Sequence, residues 1–189
     1  MRRALKAIVI SGVVALLWAP AQARADGYVA PFAGVTFGSN SIQNHGMYGV
    51  NAGWMGAGII GGEVDFGYAP KFFGSGFDNR VWDLMGNVIV GVPIGGQHGA
   101  GFRPYVTGGV GVVQVQIAPG VTSVGEYKTN NFAFDLGAGA NAYFSDHVGL
   151  RGDVRYFRNV NTSNTGNPFT SFSLSGFDFW RASIGLVLR

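Results

Sequence analysis

The sequence has 189 residues, of which 12% are charged and 14% are aromatic, and it contains 32 glycines and no cysteine. The lack of cysteine excludes a disulfide framework and thiol catalysis. The charged fraction is about half of the roughly 25% that is usual in soluble domains, so a soluble fold of this length would have few charges with which to cover its surface.

The first 25 residues have the organisation of a secretory signal peptide. Basic residues at positions 2, 3 and 6 precede an apolar stretch from Ala7 to Trp18, and Ala23-Arg24-Ala25 fits the small-residue rule for cleavage. The apolar stretch is too short to cross a bilayer as a helix. We therefore predict a signal peptide at residues 1–25 and a single exported domain at residues 26–189.

Removing the signal segment changes the charge balance of the chain. It takes away Arg2, Arg3, Lys6 and Arg24, which leaves nine basic residues against ten acidic ones and a net charge of −1. No basic patch of the kind that binds phosphate backbones remains, so nucleic acid is not an expected partner. Downstream of the signal there is also no run of about 18 apolar residues that would form a transmembrane helix.

Apolar and polar residues alternate with a period of two along the mature sequence, and helical periodicity is absent. Most of the alternating segments are long enough for a tilted strand to cross a bilayer, which takes about 9 to 11 residues. The pattern predicts eight strands, at residues 27–38, 47–55, 58–68, 81–92, 101–117, 131–144, 148–158 and 177–189.

The connections between the predicted strands alternate in length. Those after strands 2, 4 and 6 are short and comprise residues 56–57, 93–100 and 145–147. Those after strands 1, 3, 5 and 7 are mostly longer and polar and comprise residues 39–46, 69–80, 118–130 and 159–176. An even number of strands with short turns at one end and long loops at the other is typical of bacterial outer-membrane barrels, whose short turns are periplasmic.

The two faces of the predicted strands differ in charge. Alternation alone does not say which face points inward, because a soluble ligand-binding barrel alternates too. One face is nearly free of charge and carries aromatic residues near strand ends, such as Tyr68, Trp82 and Trp180. An eight-stranded interior is only wide enough for side chains, so the aromatic face is predicted to contact lipid and the polar face to line the lumen.

The polar face combines carboxylates with arginines. A buried ion is costly unless it is paired, and the planar guanidinium of arginine pairs with a carboxylate through two hydrogen bonds. We therefore predict a structural network in the lumen, formed by Glu63, Asp65, Asp83, Asn87, Arg103, Tyr105, Asp135, Asn141, Arg151, Asp153, Arg155 and Arg181. The neighbouring acids Glu63 and Asp65 are assigned to this network rather than to glycoside hydrolysis, because a plugged lumen gives a sugar no access.

Six motifs stand out along the predicted strands: GYVAPFAGVTFG (27–38), GGEVDFGYAP (61–70), LMGNVIVGVP (84–93), RPYVTGGVGV (103–112), FAFDLGAGANAYFSDHVGLRGDVRYFR (132–158) and FWRASIGLVLR (179–189). They resemble motifs of the small outer-membrane β-barrel proteins, which include opacity-type and outer-membrane-protein-A-type barrels. The resemblance covers almost the whole mature chain. It implies an eight-stranded antiparallel up-and-down transmembrane β-barrel in the outer membrane of a Gram-negative bacterium, with no common enzymatic site. Such barrels usually end on an aromatic residue, whereas this chain ends Val187-Leu188-Arg189.

The expected function is that of an integral outer-membrane protein with a structural role in the cell envelope and surface interaction through its loops. The expected partners are outer-membrane lipids and lipopolysaccharide, the barrel-insertion machinery, and a host or surface ligand. No cofactor, metal or catalytic residue is expected. Two alternatives stay open: a small channel, and an enzyme that modifies lipid A, for which the nearest grouping of suitable side chains is Ser145, Asp146 and His147 in a short turn.

Overall fold

The computed structural model describes residues 25–38, 45–70, 78–95, 99–118, 127–160 and 178–189. The predicted signal peptide, apart from Ala25, and most of the four predicted long loops lie outside these residues. No helix within the described ranges is long and apolar enough to cross a membrane. The described residues form eight strands, β1 (Ala25–Phe37), β2 (His45–Gly56), β3 (Ile60–Pro70), β4 (Asp78–Gly91), β5 (Gly101–Ala118), β6 (Tyr127–Tyr143), β7 (Val148–Asn159) and β8 (Asp178–Leu188).

The eight strands close into one antiparallel barrel, in which each strand pairs with its neighbours in sequence and β8 pairs with β1. A path that follows the pairing around the sheet from Gly27 returns to β1 at Phe37, ten residues further along that strand. Such a stagger requires the strands to tilt by about 35–45° from the barrel axis. Because a closed sheet has no edge, its backbone groups can pair internally, which the hydrocarbon interior of a membrane demands.

The predicted fold class is confirmed, and the observed strands agree with the predicted ones to within four residues at every end. The largest difference is the start of β6, which lies at Tyr127 rather than at residue 131. This strand begins early because β5 is the longest strand of the barrel, and its end pairs with the start of β6 as far as Ile117 and Tyr127.

The short connections lie together at one end of the barrel. Between β2 and β3, Ala57 (φ 50°) and Gly58 (φ 69°) both adopt the left-handed conformation of a tight hairpin turn, and the amide of Ile59 donates to the Gly56 carbonyl at 3.0 Å. After β4, Ile94 and Phe102 exchange two backbone hydrogen bonds of 2.8 and 2.9 Å. The longer connections therefore all leave the opposite end, which we call the loop end, as the pattern of connection lengths predicts.

The distribution of side chains is the reverse of that in a soluble protein. Large apolar residues on the outer face are exposed, with Ile60 at 59%, Val88 at 58% and Ile184 at 64%. Charged residues on the inner face, such as Asp135 and Arg155, have no exposed surface. Soluble domains almost never bury charged residues while exposing a continuous apolar surface, so the outer face is suited to lipid.

Aromatic side chains mark the two borders of this apolar surface. At the turn end, Phe102 and Phe144 are exposed. Girdles of this kind border the apolar band of membrane barrels, which is about 25 Å tall. Towards the loop end, neighbouring strands carry ring pairs with centroids 5.4, 6.5 and 5.2 Å apart, namely Tyr48–Tyr68, Phe66–Trp82 and Tyr156–Trp180.

A charge placed on the middle of the outer face tests the assignment to lipid. We expect Val64→Arg to lower the free energy of unfolding in lipid vesicles by about 2–4 kcal/mol, because Val64 lies at mid-strand in the apolar band. Val160→Arg, at an equally exposed valine beyond the end of β7, should cost about 0–1 kcal/mol. Urea titrations followed by tryptophan fluorescence would measure both values, and equal losses would contradict the assignment.

Candidate functional site

The polar residues predicted for the lumen converge in the middle of the barrel. Eight of them form one connected set of ion pairs, and each is at most 5% exposed. We call this set the central ion cluster. It consists of Glu63, Asp65, Asp83, Asp135, Arg151, Asp153, Arg155 and Arg181.

Arg155 is the hub of the central ion cluster. Its Nη2 lies 2.6 Å from Glu63 Oε1, and its Nε lies 2.7 Å from Asp153 Oδ1. Its Nη1 lies 3.3 Å from an oxygen of Asp135 and 3.4 Å from one of Asp65. One guanidinium thus contacts carboxylates from β3, β6 and β7, so its charge is compensated although it has no contact with solvent.

Arg181 binds Asp65 through a bidentate ion pair. Its Nη1 donates to Asp65 Oδ1 at 2.9 Å, and its Nη2 donates to Oδ2 at 2.5 Å. The same Nη1 also lies 3.3 Å from Asp83 Oδ1, and the side-chain amide of Asn51 donates to Asp65. Paired parallel hydrogen bonds of this kind are among the strongest that a carboxylate accepts.

Arg151 joins the cluster to two tyrosines near the turn end. Its Nη2 lies 2.7 Å from Glu63 and 3.5 Å from Asp153. The hydroxyl of Tyr28 donates to Glu63 at 2.5 Å, and the hydroxyl of Tyr105 donates to Asp153 at 2.6 Å. The Arg151 guanidinium also lies over the Tyr105 ring, 4.6 Å from its centroid. The tyrosine hydroxyls thus donate hydrogen bonds to the two carboxylates, and the Tyr105 ring makes a cation–π contact with Arg151.

Two apolar layers enclose the central ion cluster along the barrel axis. The Phe157 and Phe179 rings stack in the layer at the loop end, 4.8 Å apart and nearly parallel, and Arg181 lies over Phe157 at 4.8 Å. The layer at the loop end consists of Phe32, Met47, Ala69, Val81, Met85, Val113, Val115, Ala133, Phe157 and Phe179. The layer at the turn end consists of Tyr28, Ala30, Met55, Ile89, Tyr105, Tyr143 and Val187. Of the residues in these two layers, the sequence analysis had assigned only Tyr105 to the lumen.

The other predicted lumen residues lie outside the ion pairs described above. Arg103 lies near the turn end, with Nη1 3.8 Å from the sulfur of Met55 and its guanidinium over the Tyr143 ring at 5.4 Å. Asn87 and Asn141 are buried, but their side-chain amides make no hydrogen bond to any described residue.

Tyr28 and Asn51 belong to the site although they were not among the predicted site residues. Asn51 faces Asp65 in the β2–β3 pairing, and counting outward from the short turn at residues 57–59 would have found this pair. Tyr28 meets Glu63 across a longer path through β2, because Gly53 stands opposite Glu63 and a Cβ there would lie 3.1 Å from the Tyr28 hydroxyl. The absence of a side chain at Gly53 leaves room for Tyr28 to reach Glu63. The sequence alone does not indicate which side chain fills that space.

The side chains considered for an enzyme stabilise turns in the structure. The Ser145 hydroxyl accepts hydrogen bonds from the backbone amides of His147 and Val148, both at 3.3 Å. The Asp146 carboxylate accepts one from the backbone amide of Gly99. Over the described ranges, no group of three or more histidine and acidic side chains is placed to hold a metal ion.

Comparisons with known proteins identify chains of the same architecture. The sequence matches the family model described as outer membrane protein beta-barrel domain over residues 10–181. Neisserial surface protein A has a TM-score of 0.65 and 12% identity, over 87% of this chain and 97% of that one. The outer membrane protein OprG of Pseudomonas aeruginosa has a TM-score of 0.55 and 12% identity, over 87% and 96%.

A third similar structure is Ail, the attachment invasion locus protein of Yersinia pestis, solved in complex with the heparin analogue sucrose octasulfate. Its TM-score is 0.51 and its identity 10%, over 86% of this chain and 99% of that one. At such low identities, these structures show a shared fold. No curated protein sequence gives a significant match.

Removing the hub of the cluster should destabilise the barrel. We expect Arg155→Met to cost about 3–5 kcal/mol of unfolding free energy, because it leaves several buried carboxylates without their common partner. Arg158→Met is the matched control, since Arg158 lies on the same strand but is exposed on the outer face, and it should cost less than about 1 kcal/mol. Guanidinium titrations of both variants in detergent would measure the difference, and a cost for Arg155→Met as small as that of the control would show that the cluster contributes little.

Proposed function

Because the chain belongs to the outer membrane protein β-barrel family, we propose that it is a sealed barrel that contributes to envelope structure and presents its long loops for contact at the cell surface. It is an integral protein of the outer membrane. The observation that carries the proposal is a lumen filled by a central ion cluster and enclosed by apolar layers at both ends.

A packed lumen argues against the channel alternative. Eight strands leave only enough room for side chains, whereas open channels typically have about 16 strands or more. Neighbouring side chains fill the space beside the glycines of the inner face. A Cβ on Gly137 would lie 2.6 Å from Arg155 Cγ, and one on Gly139 would lie 2.6 Å from Tyr105 Cζ. Large side chains thus lie over these glycines and fill the lumen around the central ion cluster.

Electrical recording tests the sealed lumen. We expect purified protein to give no stable single-channel conductance in a planar bilayer, because apolar layers on both sides of the ion cluster exclude hydrated ions. A shift in gel mobility between heated and unheated samples would show beforehand that the protein is folded. Reproducible conductance steps from folded samples would contradict the proposal and favour a channel.

We propose no enzymatic role for this barrel. Ser145 and Asp146 are engaged with backbone amides at the turn end, and their hydrogen bonds do not connect them to the His147 side chain. A serine nucleophile needs a histidine base within hydrogen-bond reach and an acid that orients the histidine. The turn therefore accounts for these side chains without catalysis.

The loop end is the proposed surface for contact with other molecules. β6 begins at Tyr127, but its pairing with β7 begins only at Ala133, so the β5–β6 hairpin continues by about 20 Å along the strand at roughly 3.3 Å per residue. Its outer face is polar there, and Trp82 Nε1 donates to Gln114 Oε1 at 2.8 Å. The crystal structure of Ail with a heparin analogue gives a reason to include sulfated glycans among the ligands screened.

Trypsin treatment of intact cells tests whether the loop end faces outward. Lys71 lies in the connection between Pro70 and Asp78, outside the described residues. We expect trypsin to cut the protein after Lys71 without cell lysis and Lys71→Gln to abolish that fragment, while Arg151, which is buried in the lumen and followed by Gly152, stays uncut. Cleavage at Lys71 only after the outer membrane is opened would contradict the proposed orientation.

A further inference from the structure

A groove lies on the lipid-facing surface of the barrel, across β6, β7 and β8. Its volume is about 460 Å³. Its floor includes the small residue Ala138, which stands opposite Val154 in the β6–β7 pairing, and its wall includes the contact between the Tyr156 and Trp180 rings. The lining residues are Leu136, Gly137, Ala138, Val154, Tyr156 and Trp180.

An exposed arginine lies beyond the loop end of this groove. Arg158 follows Tyr156 by two residues on β7 and therefore shares its outward face. Asp178 stands opposite Arg158 in the β7–β8 pairing, but it accepts a hydrogen bond from the Tyr156 hydroxyl at 2.8 Å. Among the described residues, no carboxylate lies within ion-pair distance of the Arg158 guanidinium.

The distance between groove and arginine fits one leaflet of a membrane. From Val154, opposite Ala138, to Arg158 is four residues, or about 13 Å along the strand and about 10 Å along the barrel axis at the tilt given above, which lies within the roughly 15 Å that half of the hydrocarbon core of a bilayer spans. Arg158 lies just beyond the aromatic girdle, at the level where lipid headgroups begin. On the β6 side, its partner in the pairing is Phe134, which carries no charge, so an anion can approach from that side without meeting Asp178.

We propose that this groove binds one acyl chain of a phosphorylated lipid of the outer leaflet and that Arg158 binds the phosphate of the same molecule. The occupant is lipid A, the phosphorylated glycolipid that anchors lipopolysaccharide. A planar guanidinium makes two parallel hydrogen bonds to a phosphate, and the apolar groove contacts an acyl chain of the same molecule, so a phosphorylated lipid is held at two points where an uncharged lipid is held at one. The site goes beyond the envelope role proposed above, and it rests on the location of the barrel in the outer membrane and on the proposed outward orientation of its loop end.

Lipid retention by the folded barrel tests the proposal. Protein in phosphatidylcholine nanodiscs that contain a few per cent of lipid A would be transferred to detergent, and bound lipid counted by native mass spectrometry. We expect one retained lipid A, and about tenfold weaker retention after Arg158→Gln, because a charge-assisted hydrogen bond is lost. Ala138→Phe, which fills the floor of the groove, should weaken retention to a similar extent.

Matched controls separate this site from general contact with lipid. Arg80→Gln changes an exposed arginine just beyond Trp82 on β4, and Ala33→Phe enlarges an exposed alanine on the outer face of β1; both should retain lipid A like the wild type. The proposal is overturned if Arg158→Gln and Ala138→Phe retain lipid A normally, or if the controls lose it equally.

The same assay distinguishes the chemistry that is recognised. Dephosphorylated lipid A should be retained about as weakly as lipid A is by the Arg158→Gln variant, and inorganic phosphate alone should not bind. Equal retention of the dephosphorylated lipid would overturn the role of Arg158. Each variant is first checked for the gel-mobility shift, and Arg158→Met and Ala138→Leu replace any variant that lacks it. Loss of lipid retention by a protein that still shifts and does not conduct leaves the envelope role intact.

Discussion

A guanidinium without water around it needs acceptors on every side, and the arrangement of the barrel meets that need for Arg155. Its carboxylate partners come from β3, β6 and β7, so one side chain links strands across the lumen that are not neighbours in the sheet. Arg181 adds links from β8 to β3 and β4. A buried charge that lacks its partner destabilises the fold strongly. Because the partners of these arginines lie on other strands, the closed barrel and the central ion cluster stabilise each other.

The lipid contacts follow from this interior. Because the charged residues lie in the lumen, the outer face consists of Val, Ile, Leu and aromatic side chains. Such a surface would favour aggregation in water and is suited to a bilayer. Where that face is interrupted by small residues, as at Ala138, the surface becomes concave. The outer face is therefore not a uniform apolar surface: it contains a groove at Ala138, and Arg158 places a positive charge beyond the loop end of that groove.

The sequence was sufficient to predict the strands and their two faces. Residues two apart on a strand, such as Glu63 and Asp65, lie on the same face regardless of how the strands pair. It was not sufficient to predict the height of each residue along the barrel axis. That height depends on the ten-residue stagger accumulated around all eight strands, which no single strand encodes. For this reason the place of Arg103 beside Met55 and Tyr143, and the two apolar layers, could not be derived.

The order of strands along the chain gives the central ion cluster a further consequence. All three of its arginines belong to β7 and β8, whereas four of its five carboxylates belong to β3, β4 and β6. A chain that has inserted only its first six strands therefore carries the acids of the cluster without their partners, and an unpaired ion is costly in a medium of low polarity. The last two strands carry both the arginines that compensate these acids and the β1–β8 pairing that closes the sheet, so neutralising the cluster and closing the barrel depend on the same segment of the chain.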